Sequence, residues 1–266
     1  MNSEEFIKIH YPAVRVFTAD TGRISAEKHY VRSLLEVDVT DALQKLKQMR
    51  APGRKASFLS WFIKVTADTV ARHPPINGIR KGHNTIWVPR SVDVSTVAEK
   101  VIDGSPVPLP LVLRQANHKS PVELNDEILS AVAQPVEHEG NYVLGSGANR
   151  LLLKIGAALP QWLRLFLMRS FILNHPQRMN DMMGSVMVTS LGTIGQISGW
   201  IIPTSMHSLS IGIGTINKKE MLINGKIEKR SILRLTIAFD HDVIDGMPAL
   251  KFVADLVSAM ESGAGL

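Results

Sequence analysis

The densest run of chemistry-bearing side chains is FDHDVIDG, residues 239–246, where Asp240, His241, Asp242 and Asp245 crowd together after an apolar stretch. A chain that is apolar along ILRLTIAF and then abruptly polar leads its last side chains out of packing and toward a cleft. His241 suits proton removal near neutral pH, because an imidazole titrates at about 6.5. Asp245, four residues on, is placed to turn back and fix the loop or counter a cation, and Gly246 to permit a turn that a side chain would obstruct. Taken alone, a histidine at a strand end is more often structural than catalytic. The chain has no cysteine, which excludes disulfides, thiolate nucleophiles and thiolate metal sites, and leaves Ser, Thr, His, Lys and carboxylates for chemistry.

The elements that must position this cluster follow from periodicity. Residues 1–33 mix charges and turn formers, TGRIS among them, and read as an irregular N-terminal arm leading into a strand. The β-branched run of LLEVDVTDALQKLKQMR gives way at Thr40, a candidate N-cap, to a helical pattern with Leu43 and Leu46. FLSWFIKVTADTVARHP carries apolar residues at Phe58, Phe62, Val65, Ala67 and Val70, as a buried helix stopped by Pro74 and Pro75 would. TIWVP and RSVDVSTVA predict short strands. Val107–Leu113 is apolar but punctuated by proline, hence an edge or irregular strand, and Ser120 precedes a helix with acids in its first turn.

Toward the C-terminus the signals are those of a sheet. GSVMVTSLGTIG predicts a strand and glycine-rich turn, SLSIGIGTINKK another strand, MLINGKIEKRS a hairpin around Asn224-Gly225, and ILRLTIAFDHDVIDG a long strand. A closing helix presents Leu250, Val253, Leu256 and Met260 on one face. Between the halves, LLLKIGAALPQWLRLFLMRSFILNHP is apolar with basic punctuation. Lys154, Arg164, Arg169 and Pro160 divide it into pieces too short to cross a bilayer. A helix packed against the body is preferred over membrane contact through 151–173. The alternation of strands and helices predicts an α/β (α+β) fold, a mixed sheet with helices packed on it in a two-layer sandwich, as a single domain over 1–266.

At 266 residues and 45% hydrophobic the chain can bury a full core. Its formal charge of +6 is spread along the sequence without interleaved aromatics, so a solvated basic surface is preferred over nucleic-acid binding; attraction of a phosphorylated anion is a second use for it. The charged opening MNSEEFIKIH lacks a secretory pattern. With the absence of cysteine, this agrees with a cytoplasmic protein.

His241, Asp245 and Gly246 form HxxxDG, and FDHDVIDG resembles the DHRxxDG form found in the acyltransferase cores of 2-oxo acid dehydrogenase complexes, which share HxxxDG with chloramphenicol acetyltransferase. MVTSLGTIG is similar to the family's TISNLG turn, IIPTSMHSLSIGIG to the segment before its LGVG strand, LLEVDVTDA to its EVDVT helix start, and PLVLRQANHKSPVELNDEI to PVIRDADRKS and the helix after it. The resemblance runs, with gaps, from about Leu34 to Ser262.

That resemblance implies the chloramphenicol-acetyltransferase-like fold and CoA-dependent acyl transfer between thioesters. His241 would be general base and Thr189 the hydroxyl that bonds the oxyanion, with Ser190 its neighbour and rival; Arg114, Lys119 and Ser120 would lie near the coenzyme A channel. It implies a homotrimer whose base and hydroxyl face each other across a subunit boundary, no metal, and acyl groups carried on lipoyl groups. Residues 1–33 are too few for a lipoyl or subunit-binding domain, so the carrier is expected to be a separate protein or acyl-CoA itself. Three departures stand out: Asp242 where the family carries Arg, an extended stretch over 129–184, and the short ending MESGAGL, which favours a free trimer. Two other readings compete: transfer to a small hydroxyl or amine, as by chloramphenicol acetyltransferase, and a non-catalytic trimeric scaffold.

Overall fold

The computed structural model describes residues 7, 13–49, 55–102, 105–133, 155–190 and 198–266. Among these residues eight strands are formed: β1 (Tyr30–Asp38), β2 (Ile79–Lys81), β3 (Thr85–Trp87), β4 (Val94–Ile102), β5 (Ser105–Leu113), β6 (Val186–Ser190), β7 (Leu209–Ile223) and β8 (Lys226–Asp240). Six of them make one mixed sheet in the order β1-β8-β7-β6-β4-β5, and β2 and β3 pair separately. The helices are α1 (Ala13–Ser25), α2 (Thr40–Gln48), α3 (Phe58–Arg72), α4 (Pro121–Ala133), α5 (Gln161–Met168), α6 (Pro176–Met183) and α7 (Gly246–Glu261).

Period-two alternation decides which face of the sheet is packed. Leu233, Leu235, Ile237 and Phe239 of β8, Leu209, Ile211 and Ile213 of β7, and Val186 and Val188 of β6 belong to one buried cluster with Trp61, Phe62 and Phe252 of the helices. Each such side chain contributes about 1.5–3 kcal/mol relative to exposure. The alternate positions turn to the other face, where residues 198–203 lie against the glycines of SIGIG. A methyl group at Gly214 would lie 2.5 Å from the Gly199 carbonyl oxygen, and one at Gly212 would overlap Ile201, so alanine at either would force this segment off the sheet.

Local chemistry sets the boundaries. Ser57 and Ser60 form a reciprocal capping box at the start of α3. Proline-rich β5 occupies the sheet edge, where a missing N–H costs no ladder bond. Asn224 and Gly225 both have positive φ, 48° and 78°, the conformation of a type I′ turn. They join two 15-residue strands into one long hairpin, so the segments predicted separately before and after the turn are two strands.

Four expectations need correcting. The irregular arm contains α1 and the start of β1. Its helix is fixed by tertiary partners that the local sequence does not announce, above all Asp20, 1% exposed, which accepts from Arg164 Nε at 2.6 Å and from Gln161 Nε2 at 3.1 Å. Burial would raise the Asp20 carboxyl, but these hydrogen bonds and the guanidinium charge hold it below its ordinary value. Thr40 lies within α2, where the Asp38 carboxylate accepts from its N–H and hydroxyl at 3.0 and 2.6 Å. On α7 the packed residues are Ala249, Phe252, Leu256 and Met260, while Leu250 is 62% exposed. Finally, α5 is only half covered: Leu165 and Met168 pack with Ile24 and Met179, whereas Trp162 and Phe166 are 69% and 60% exposed, because the segment carries more apolar residues than one contact face can hide.

Candidate active site

His241 begins the turn between β8 and α7. Its N–H donates to the His29 carbonyl at 2.9 Å, its side chain is exposed, and among the described residues the imidazole has no hydrogen-bond partner. The turn beneath it is held by Asp240, 2% exposed. Lys28 is ion-paired to this carboxylate, the Asp242 N–H donates to its Oδ1 at 3.2 Å, and its carbonyl accepts the N–H groups of Val243 and Ile244 at 3.0 Å each. Asp242 in turn accepts from His29 Nδ1 at 3.0 Å and lies 3.5 Å from Arg80. The His29 hydrogen bond, followed by the charges of His29, Arg80 and Lys28, holds the Asp242 carboxyl below its ordinary value against the opposing effect of burial.

Asp245 does not fix the loop. It is the N-cap residue of α7 without a capping hydrogen bond, exposed to solvent, and the turn is fixed instead by Asp240 from within and Asp242 from the side. Nor does Gly246 answer a steric need: a Cβ there would meet nothing within 4 Å. Lys28, His29 and Arg80, which contact the turn, escape the sequence reading. They come from the lead-in to β1 and from β2, and only the antiparallel pairing of Tyr30 with Asp240 brings the first two alongside.

Beside the turn lies a buried polar knot. The Tyr30 hydroxyl is within hydrogen-bonding distance of the Ser205 and His207 carbonyls, at 2.7 and 2.6 Å. His207, 4% exposed, has Nε2 at 2.8 Å from the Met183 carbonyl and Nδ1 at 2.6 Å from Ser205 Oγ. A carbonyl can only accept, so Nε2 carries the proton and Nδ1 accepts from the hydroxyl. Burial, aided by the Lys28 charge and opposed by the Met183 bond, pushes the His207 pKa down to about 4. Burial first, then the Asp240 charge, push the Tyr30 phenol up.

Thr189 and Ser190 close β6, half-buried and exposed respectively; residues 191–197, with the rest of the predicted glycine-rich turn, lie outside the described residues. Thr189 pairs with Gly212, and Gly212 with Thr236, five residues before His241. At about 4.8 Å between strands and about 3.4 Å per residue, Thr189 and His241 stand roughly 10 Å apart across the sheet and about 17 Å apart along it. One chain therefore does not bring His241 and Thr189 together.

The other predicted contacts lie beyond β5, four strands from β8. Arg114 donates to Asp93 at 2.9 Å, to the Asn180 carbonyl at 2.8 Å and to the Asp181 carbonyl. Lys119 is paired with Glu127. The Ser120 N–H donates to Glu123 at 2.7 Å while Ser120 Oγ accepts from the Glu123 N–H at 3.2 Å, a capping box for α4. Among the described residues no group of three or more His, Asp or Glu could hold a metal ion, and no helix is long and apolar enough to cross a membrane.

The family model of the 2-oxoacid dehydrogenases acyltransferase catalytic domain matches residues 25–139 and 174–266. The chain belongs to this family. Its relatives include the dihydrolipoyllysine-residue acetyltransferase component of the Bacillus subtilis pyruvate dehydrogenase complex, 24% identical over 224 residues, covering 83% of this chain and 42% of that protein. Another is the succinyltransferase component of the Buchnera aphidicola 2-oxoglutarate dehydrogenase complex, 21% identical over 209 residues, covering 79% and 43%. The chain thus spans less than half the length of these relatives.

Among solved structures, a probable dihydrolipoamide acetyltransferase from Listeria monocytogenes superimposes with a TM-score of 0.69 at 20% identity, covering 97% of this chain and 96% of that one. Azotobacter vinelandii dihydrolipoamide acetyltransferase, studied for the role of a serine, a histidine and an asparagine in its catalytic mechanism, superimposes with a TM-score of 0.67 at 17% identity, covering 97% and 93%. These likenesses show that the family's fold, a mixed sheet backed by helices, is the fold of this chain. The family model leaves residues 140–173 unmatched, a span that includes α5.

Proposed function

We propose that the protein transfers acyl groups between thioesters, with coenzyme A as one thiol partner and a dihydrolipoyl group or similar thiol as the other. The observation that carries this reading is the state of His241: a free imidazole at the mouth of a turn whose backbone is held at several points, on the motif that the family shares. His241 Nε2 takes the thiol proton, the thiolate attacks the thioester carbonyl, and the oxyanion so formed accepts a hydrogen bond from the Thr189 hydroxyl. Collapse expels the second thiolate, which recovers the proton from His241. The step closes without a covalent enzyme intermediate.

The sheet register supports a site shared between copies, since the hydroxyl that serves His241 must then be a neighbour's Thr189. A homotrimer with three such sites fits this geometry. Spacing lends further support: the serine and histidine studied in the Azotobacter enzyme are 52 residues apart, and the histidine and asparagine four apart. Thr189 and His241 are likewise 52 apart, and His241 and Asp245 four. In this reading Ser190, Arg114, Lys119 and Ser120 border the coenzyme A channel, and residues 129–184 reshape the substrate entrance. The lipoyl carrier, or subunits of a dehydrogenase complex, are the proposed partners.

The test is acyl exchange between CoA and dihydrolipoamide, run with short, branched and longer acyl chains. Transfer with at least one chain type is expected, and its chain-length preference names the acyl group. Absence of transfer with every donor, from protein shown to be trimeric, would contradict the reading.

A further inference from the structure

The position that the family's DHRxxDG pattern fills with arginine is Asp242 here, and the structure shows what this carboxylate does. Two basic side chains from two separate elements converge on it. His29, on the lead-in to β1, donates through Nδ1 at 3.0 Å, and Arg80 of β2 stands 3.5 Å away. His29 grips the same turn a second time, because its carbonyl accepts the His241 N–H at 2.9 Å. The hairpin that carries Arg80 also packs on the turn: a Cβ built at Gly78, just before β2, would lie 3.2 Å from Val243 and 2.6 Å from Ile86 Cγ2. The turn is thus clamped between the β1 lead-in and the β2–β3 hairpin, with Asp242 as the shared jaw.

We propose that Asp242 is a positioning residue for His241, acting through His29 and Arg80. The inference rests on the acyl-transfer reading for its consequence, though not for the clamp itself. The pairs are partly exposed, with side-chain exposures of 77% for His29, 41% for Arg80 and 34% for Asp242, so they add little to global stability. Their effect lies in the aim of the imidazole, where small displacements of a reacting group are costly.

Four variants test this: Asp242→Asn, Asp242→Arg, Arg80→Asp, and the charge swap combining the last two. Asp242→Asn should lower kcat for acyl exchange by about five- to thirtyfold with KM within about twofold and with little change in thermal midpoint. Asp242→Arg, which faces Arg80 with a like charge, should lose more, and the swap should recover at least half of that loss on a logarithmic scale. A structural role alone would move the midpoint and leave kcat intact. A clamp measurement independent of activity is amide hydrogen exchange at residues 241–244, expected to quicken about three- to tenfold in Asp242→Asn. If the wild type transfers no acyl group, the functional reading fails and exchange alone judges the clamp. Unchanged exchange in Asp242→Asn overturns the proposal, as does an undiminished kcat in an active enzyme or a loss that the swap does not restore.

Discussion

Replacing His241 with alanine should lower kcat/KM for acyl exchange by about 10²–10⁴-fold, the usual contribution of a positioned general base. The size of the loss is expected because nothing nearby among the described residues substitutes for it. His29 faces Asp242, His207 is buried against Met183 and Ser205, and His73 bonds Asp255 at 2.7 Å. The fold should survive, since the imidazole has no hydrogen-bond partner among the described residues and the turn is held by the backbone of His241 and by Asp240. A thermal midpoint within about 2 °C of wild type accompanies a loss of this kind. A variant retaining more than about a tenth of the activity would mean that another group removes the proton.

The second large effect is on stability and is set by His207. Its pKa in the fold is about 4, against about 6.5 in the unfolded chain. Between these values the unfolded chain binds the proton and the folded one does not, so stability rises with pH across the window and is complete above about 6.5. Lowering the pH from 7 to 4 should therefore remove about 3 kcal/mol. The carboxylates held below their ordinary range, Asp20, Asp38, Asp242, Glu36 and Glu123, begin to lose their contribution only below about pH 5, so the window between about 5 and 6.5 reports mainly on His207. Denaturant titrations at intervals from pH 7 to 4.5 should show this slope in the wild type and a flatter one in His207→Gln, whatever that variant's stability at neutral pH. Equal slopes in the two proteins would remove His207 as the cause.

Much of this was legible in residue patterns because its causes are local. Proline in β5 forecast an edge, Asn224-Gly225 a hairpin, Pro74-Pro75 the end of α3, and the abrupt polarity after Phe239 the turn that carries His241. What stayed hidden depends on contacts between distant segments. The helix α1 owes its place to Arg164, 144 residues from Asp20, and nothing in TGRIS states that. The clamp on the turn needs the pairing of β1 with β8 before His29 can reach Asp242, 213 residues away. The separation of Thr189 from His241 within one chain follows from strand order, which residue patterns do not state; only the family resemblance implied that the two face each other across a subunit boundary. The covered side of α7 was misjudged by one position: Ala249 is in phase with Phe252, Leu256 and Met260 at helical spacing, while Leu250 is turned about 100° away from it and faces solvent.

In the proposed reaction a working site needs His241 from one copy and Thr189 from another. Thr189→Val alone should lose about 10²–10³-fold, as other oxyanion donors do, and His241→Ala is expected to be inactive for the reason given above. The direct measurement is to co-express the two inactive variants with different tags and to purify oligomers that carry both. In a cyclic trimer with head-to-tail contacts, every mixed ring has one junction at which an intact His241 meets an intact Thr189, so the mixed protein should recover about one third of wild-type activity. Mixed oligomers that are verified by both tags and remain as inactive as either parent would contradict the shared site.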